Sequence, residues 1–209
     1  MNNYKKNLQI LQDNHVYSKE MEHDACGVGL IASTEGKKSR KVVEYGINAL
    51  KAVWHRGAVD ADGKTGDGAG IHLEIPSDFF AEKIELTGHK HDGSEICVGM
   101  VFLPRNNYAA QENARTLIES ELTKSNFSIY GWRQVPVNPK VLGEKANLTR
   151  PEITQVLFKY NDKTLVDKDL ERKIYESRRK IEKKAIKNSI EGFIFVLSAL
   201  NQLFIKECF

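Results

Sequence analysis

One stretch of the chain decides its fold: Glu22-His23-Asp24-Ala25-Cys26-Gly27-Val28-Gly29-Leu30-Ile31-Ala32. It places a cysteine between a polar leader, residues 1–25, and an apolar, glycine-dotted run that predicts a buried strand over 27–34. Cleavage after Ala25 would make Cys26 the N-terminal residue, with both a thiol and a free α-amine. An α-amine titrates near pH ~7.7–8 and a free thiol near ~8.5. Cys26 is therefore a candidate nucleophile that carries its own general base.

The composition of the 209 residues is that of a globular protein without a strong charge. Hydrophobic residues make up 41% of the chain and charged residues 28%, which is compatible with an ordinary core. The net charge of +3 is too small to argue for a nucleic-acid partner. The basic residues concentrate between Arg172 and Lys187, a run typical of the solvated face of a helix.

Targeting and redox features favour a cytoplasmic location. The first six residues carry charge but no apolar segment follows them, so they do not form a secretory signal. The apolar run at 193–205 is interrupted by Asn201 and Gln202 and is too short to span a bilayer, so no membrane partner is expected. Three widely spaced cysteines indicate reduced thiols and show no metal-ligand pattern: Cys26, Cys97 and Cys208.

Strand and helix patterns interleave along the chain, which predicts an α/β or α+β class. Apolar runs predict strands at 71–75, 96–103, 127–132 and 153–160. Caps and helical spacing predict helices from Ser39 to about 57, from Ser77 to about 84, and over 109–123 and 165–187. Residues 1–25 show little periodicity, and 135–151 are expected to be irregular. Beside a polar turn, His89 and His91 are expected to be exposed.

A glycine-rich loop at residues 57–70 is a second candidate site. A phosphate-binding loop needs four residues between its first glycine and the Gly-Lys pair, whereas five follow Gly57 here. Its aspartates could suggest calcium, but no glutamate stands twelfth from any of them. We therefore expect a turn whose backbone approaches the cysteine strand. Arg56 would pair with a local carboxylate, and Arg56, Asp67 and Gly68 would shape the site.

Four blocks of the chain resemble, in order and spacing, the glutamine amidotransferase domain of the glutamate synthase large subunit. The resemblance covers about residues 20–193, and separated blocks in register are far more specific than one short motif. The blocks are DACGVGLI at 24–31; HRGA at 55–58 with ADGKTGDGAGI at 61–71; GWRQVPVN at 131–138 with VLG at 141–143; and ERKIY at 171–175 with RRKIEK at 178–183.

The resemblance implies an α+β fold, that of an N-terminal-nucleophile hydrolase with a four-layer αββα sandwich, incomplete in this chain. It also implies that Cys26, once the leader 1–25 is removed, attacks the side-chain amide of L-glutamine while its α-amine moves the proton. Ammonia leaves, a γ-glutamyl thioester forms, and water releases glutamate. The ammonia would then aminate 2-oxoglutarate in glutamate biosynthesis.

The same resemblance implies cofactors and partners for the full-length enzyme. FMN, an iron–sulfur cluster and NAD(P)H or ferredoxin would serve its synthase domain, which works with a small subunit or with ferredoxin. None of these cofactors, and no metal, is expected to bind this chain. Two alternatives remain open: a non-catalytic remnant, and a class II amidotransferase of another pathway, against which the TGDGAG block at 65–70 argues.

The last residues depart from the family pattern. After Phe193 the family continues with a run like Tyr-Ile-Cys-Ser-Leu-Ser-Ser, whereas this chain continues IFVLSALNQLFIKECF at 194–209. A permitted back-translation of this tail, read out of frame, restores the family-like run. Residues 194–209 are therefore expected to be a frameshifted tail, with a genuine C-terminal strand as the alternative. The domain at 26–193 would lack the oxyanion hole and the substrate arginine, so this chain is expected to be inactive alone.

Overall fold

The structure is a computed structural model, and it describes residues 2–14, 27–53, 57–66, 68–162, 164–165, 167–190, 192–198 and 203–208. In chain order its helices and strands are α1 (Asn2–Asn14), α2 (Arg40–Ala52), β1 (Gly68–Leu73), α3 (Ser77–Glu85), β2 (Cys97–Leu103), α4 (Tyr108–Lys124), β3 (Phe127–Gln134), α5 (Glu144–Thr149), β4 (Glu152–Tyr160), α6 (Asp167–Lys187), β5 (Ile194–Ser198) and β6 (Leu203–Cys208).

An antiparallel sheet in the order β3-β4-β2-β5 forms the centre of the described molecule. The apolar strand β2 is buried along nearly its whole length because it has a neighbouring strand on each side and covered faces. Gly99 in β2 makes room for two flanking side chains. A Cβ at Gly99 would lie 2.7 Å from Cγ1 of Val156 in β4 and 2.9 Å from Cε2 of Phe195 in β5.

Helices α4 and α6 pack together on one face of this sheet. Both present apolar side chains at helical spacing, including Ile118 and Leu122 of α4 and Ile174 and Ile181 of α6, which are buried against β2 and β4. The α4 helix begins where the Asn107 side chain accepts a hydrogen bond from the backbone of Ala110. The sequence pattern of alternating strands and amphipathic helices therefore produces one continuous apolar layer.

Helix α3 covers the opposite face of the sheet. Its Phe80 and Ile84 are fully buried against Val98, Met100 and Leu157. The sheet therefore has a packed layer on both sides, as its uninterrupted apolar strands require.

A separate two-stranded sheet, β1 with β6, pairs antiparallel from Gly68 opposite Cys208 to Leu73 opposite Leu203. Helix α2 lies against β1. The α+β class that the sequence predicts is confirmed: helices and antiparallel strands build the described fold.

Two local predictions are wrong. Residues 27–33 form no strand, and Val28 and Leu30 are 94% and 90% exposed; apolar alternation does not make a strand where no described strand offers a hydrogen-bonded ladder. Helix α3 already includes Ser77, with Pro76 at its N-cap, so the Ser77 side chain does not cap it.

The remaining differences concern helical segments that the sequence did not predict and the end of one predicted helix. Residues 1–25, which the sequence predicts to be a leader, contain α1, and the Tyr4, Leu8 and Leu11 spacing of i, i+4, i+7 could have indicated it. The segment 135–151 contains a 3₁₀ turn at Pro139–Val141 and the short helix α5. Helix α2 ends at Ala52, earlier than expected.

Candidate active site

An open groove of about 1320 Å³ begins at Gly27, the first described residue after Cys26. The exposed segment 27–31, helix α2 and strand β1 line it. Most of these side chains are apolar, including Leu30, Val43 and Ile71. Concave, largely apolar surfaces with a few polar groups are the usual form of small-molecule sites. We take this groove as the candidate active site.

Two local features fix the helical wall of the groove. The Ser39 side chain accepts a hydrogen bond from the backbone of Lys41 at 3.2 Å, which confirms the predicted N-cap of α2. Gly46 then lets the helix approach β1, because a Cβ there would lie 3.1 Å from Cδ1 of Ile71. The sequence alone did not indicate a role for Gly46. The available signal was a glycine on the apolar face that Val43 and Leu50 define.

The structure places only one of the four predicted site residues. Cys26, Arg56 and Asp67 lie outside the described residues, so their roles as nucleophile and as site-shaping groups stay predictions. Gly68 is the first residue of β1, two positions before Gly70, which lines the groove. Its predicted part in shaping the site is compatible with this position and also stays a prediction.

The described part of the glycine-rich loop, residues 57–66, is a tight turn closed by a bridge between Val59 and Gly66. Asp62 holds the turn: its carboxylate accepts hydrogen bonds from the backbone of Lys64 at 2.9 Å and of Thr65 at 2.6 Å, and from Thr65 Oγ1 at 2.5 Å. These bonds, led by that from the Thr65 side chain, lower the pKa of Asp62 to about 2. The Asp62 carboxylate is therefore used within the turn.

Gly143 and Lys145, at the start of α5, contact this loop, and we call these contacts the clasp. A Cβ at Gly143 would lie 2.6 Å from the backbone nitrogen of Thr65 and still closer to Thr65 Oγ1 and Asp62 Oδ2. Lys145 Nζ donates to both carboxylate oxygens of Asp60, at 2.9 and 2.8 Å. The blocks at 55–71 and 131–143 therefore meet in space through this clasp. Sequence reasoning missed Lys145 altogether and saw Gly143 only as the end of a block.

Two histidines surround Tyr130 at the turn that follows α3. His89 is exposed as expected, but His91 is half-buried, because its Nε2 lies 2.8 Å from the Ser94 carbonyl oxygen and its ring packs edge-on to Tyr130. Desolvation and the nearby Asp92 carboxylate raise the pKa of Tyr130 to about 12.

The same Asp92 carboxylate accepts a hydrogen bond from Lys159 Nζ at 2.6 Å. That bond holds the Asp92 pKa well below its usual range. Because the charges of Asp92 and Lys159 are paired with each other, we interpret the cluster around Tyr130 as structural support for this end of the sheet.

No group of three or more histidine, cysteine, aspartate or glutamate side chains in the described part of the chain could hold a metal ion. No described helix is long and apolar enough to cross a membrane.

Comparison with known protein families shows to which family this chain belongs. The profile of the family described as "Glutamine amidotransferases class-II" matches residues 26–206, and the match begins at Cys26. The chain belongs to the class-II glutamine amidotransferases. The α+β fold found here, with an antiparallel sheet layered by helices, agrees with an incomplete N-terminal-nucleophile hydrolase sandwich of that family.

Within that family the chain is most usefully compared with glutamate synthases. It is 48% identical over 206 residues to the glutamate synthase [NADPH] large chain of Azospirillum brasilense, covering 99% of this chain. It is 40% identical over 164 residues, 78% of the chain, to ferredoxin-dependent glutamate synthase 2 of Synechocystis. It is 32% identical over 191 residues, 88% of the chain, to the Bacillus subtilis glutamate synthase [NADPH] large chain.

The matched regions cover most of this chain but only a small part of each relative. The chain spans 14%, 10% and 12% of these three relatives. The family match also continues past residue 193, the expected boundary of the domain, to residue 206. Within that stretch, Phe195 is buried in the core beside Gly99. The frameshift of 194–209 stays a prediction that nucleotide sequencing can decide.

Proposed function

We propose that this chain belongs to the glutaminase part of a glutamate synthase large subunit, which hydrolyses L-glutamine to glutamate and ammonia. One observation carries the proposal: the match to the amidotransferase family begins at Cys26, where the sequence combines a thiol with a potential α-amine. The glutamate synthase relatives support the assignment to this pathway over another class-II amidotransferase.

In this proposal the Cys26 thiolate attacks the amide carbon of glutamine, and the α-amine freed by leader removal relays the proton to the departing ammonia. Water then attacks the γ-glutamyl thioester and releases glutamate, which regenerates the thiol. The groove beside Gly27 would receive the substrate. The clasp of Gly143 and Lys145 on the 57–66 loop would position the segment between Arg56 and Asp67.

Cofactors and partners of the parent enzyme enter the proposal only outside glutamine hydrolysis. FMN, an iron–sulfur cluster and NAD(P)H or ferredoxin would act in the synthase part, where ammonia aminates 2-oxoglutarate, in the cytoplasm. The chemistry assigned to Cys26 consumes no electrons, so glutamine hydrolysis needs none of these groups.

Intact mass and a glutamine-shaped electrophile test the proposal directly. The 209-residue chain and a version continued in the family-like frame after Phe193 would be purified and incubated with a glutamine analogue that carries a diazoketone. We expect the in-frame protein to begin at Cys26 and to gain one label there. A protein that takes up the label should also release glutamate from glutamine. Cys26→Ala should lose this release.

The matched control is Cys97→Ala, because Cys97 is a buried thiol of the central sheet. This variant should keep both the label and turnover. A mature protein that still carries residues 1–25, or equal losses from the two substitutions, would overturn the assignment.

A further inference from the structure

The structure points to a second site, at the end of the central sheet where β2 stops and β4 begins. Leu103, the last residue of β2, is paired with Glu152, the first residue of β4. Arg105 lies two residues beyond Leu103, and Arg150 lies two residues before Glu152. Because the strands are antiparallel, this register places both arginines beyond the same end of the sheet.

Both arginines line one pocket of about 400 Å³. No described residue lining this pocket carries a carboxylate, and no ion pair among the described residues involves either arginine. Arg150 Nε is also buried without a hydrogen-bond partner among the described residues. A desolvated guanidinium nitrogen without an acceptor is unfavourable, and two guanidiniums at one pocket add like-charge repulsion. An oxyanion would relieve both costs.

The backbone that carries Arg105 is held rigidly. Gln111 is 5% exposed, and its Nε2 donates to the carbonyl oxygens of Pro104 and Arg105 at 3.0 and 3.2 Å. Asn107 caps α4 immediately afterwards. The loop between Leu103 and α4 is thus fixed at both ends, so little conformational entropy would be lost when a ligand binds.

The opposite wall is equally constrained. Arg150 precedes Pro151 and has the non-helical, polyproline-like backbone that a following proline favours, with φ −56° and ψ 124°. Gly192, with φ +67°, also lines the pocket, and a Cβ added there would lie 3.4 Å from Cβ of Pro104. The two arginines are therefore presented from segments whose conformations are set before any ligand arrives.

We propose that this pocket binds a small free oxyanion, a phosphate group or a carboxylate, between Arg105 and Arg150. Guanidinium groups recognise both through paired, charge-assisted hydrogen bonds, and the volume suits a ligand of metabolite size. The site lies apart from the groove at Gly27 and shares none of its lining residues. It is independent of the glutaminase proposal.

Amide chemical shifts of the 209-residue chain, titrated with inorganic phosphate and, separately, with glutarate at constant ionic strength, test the site. We expect saturable shifts confined to the amides of residues 103, 105–107 and 148–150 with at least one probe. The probe that saturates at lower concentration identifies the phosphate or the carboxylate source. Arg105→Gln and Arg150→Gln should each weaken binding about tenfold or more, as loss of a charge-assisted hydrogen bond predicts.

Arg172→Gln is the matched control, because Arg172 is an exposed arginine of α6 paired with Glu176. It should bind as the parent chain does. Thr149→Glu keeps both arginines but adds a carboxylate at the exposed rim of the pocket, and it should also weaken binding. This variant tests the site even if an arginine variant fails to fold. Absence of saturation with both probes, or an equal loss in Arg172→Gln, would overturn the proposal.

Discussion

Lys145 and Asp60 are joined by two hydrogen bonds, at 2.9 and 2.8 Å, across 85 residues of sequence. The pair attaches α5 to the glycine-rich loop in which Asp62 holds the turn. The Lys145 side chain is 64% exposed, so the ion pair alone is worth no more than about 1 kcal/mol. Most of the attachment should therefore come from close packing at Gly143, and this division can be measured.

Gly143→Ala should cost about 1–3 kcal/mol of unfolding free energy. The backbone at Gly143, φ −66° and ψ 165°, is open to any residue, so the cost would be purely steric. The new Cβ would meet the backbone of Thr65, which cannot rotate away. Urea unfolding measures the loss, and faster amide exchange at Thr65 would locate it. Gly29→Ala is the control, because nothing lies within 4 Å of its Cβ position; equal losses would contradict the clasp.

Lys145→Gln should cost less than about 1 kcal/mol, because both partners are partly solvated. The effect should be local: amide exchange of Asp60, whose N–H donates to the Thr65 carbonyl at 2.7 Å, should quicken while the central sheet is unchanged. Lys140→Gln, on the adjacent 3₁₀ turn, should leave that exchange rate as it is. Exchange that quickens equally in both variants would show that Lys145 does not hold the loop.

Gly99→Ala should destabilise the chain by about 1–3 kcal/mol, because the added methyl group meets Val156 and Phe195. A double-mutant cycle makes this specific: Phe195→Ala should remove part of the clash, so the double variant should be more stable than the two single losses predict. Urea unfolding of the four proteins gives the coupling energy. Additive losses would mean that Phe195 does not pack on Gly99, and residues from 194 onward would then contribute little to the core.

The sequence predicted the central sheet and its two main helices because their signals are strong. The strands β2 and β4 are long apolar runs, and α4 and α6 carry apolar residues at helical spacing, so packing and local preference agree. The strand expected at 27–34 has an equally good pattern, yet it forms no strand because no described neighbour pairs with it. Pairing partners are a tertiary property that one segment does not encode.

The candidate site was less accessible to sequence reasoning. Gly46, Gly143 and Lys145 act through residues 25 to 85 positions away, and only the folded chain reveals those contacts. Glycine positions were a usable signal, since a glycine inside a helix or beside a short helix often marks a close approach. The predicted role of Cys26, in contrast, depends on the thiol and the α-amine that one residue would carry, so the sequence could suggest that role without the fold.

Glu121→Gln should lower the unfolding free energy by about 1–2 kcal/mol at neutral pH. Glu121 is 5% exposed and accepts hydrogen bonds from Lys124 at 3.0 Å and from Lys184 of α6 at 2.7 Å. Burial raises its pKa, but the bonds from Lys184 and Lys124 outweigh burial, so the net pKa is lowered. A carboxyl whose folded pKa is depressed stabilises the fold above its unfolded pKa, near 4.5, and loses that contribution as the pH falls through the folded value.

Urea unfolding at pH 7 and at successively lower pH should therefore show the gap between the parent chain and Glu121→Gln shrinking below about pH 4.5. Comparing the two proteins cancels the titration of other carboxylates. Glu112→Gln, on the exposed side of the same helix, should change stability little at any pH. A gap that stays constant as the pH falls would show that the Glu121 charge does not tie α4 to α6.

Alkylation should separate two cysteines by reactivity. Burial raises the pKa of the Cys97 thiol far above its ordinary value, so almost no thiolate forms at Cys97 in the folded chain. Iodoacetamide at pH 8 should modify Cys97 only after urea unfolds the sheet, whereas an N-terminal Cys26 should react in the native protein. Peptide mass mapping of native and unfolded samples measures both. Native labelling of Cys97 as fast as Cys26 would mean that β2 opens readily and that burial does not protect Cys97.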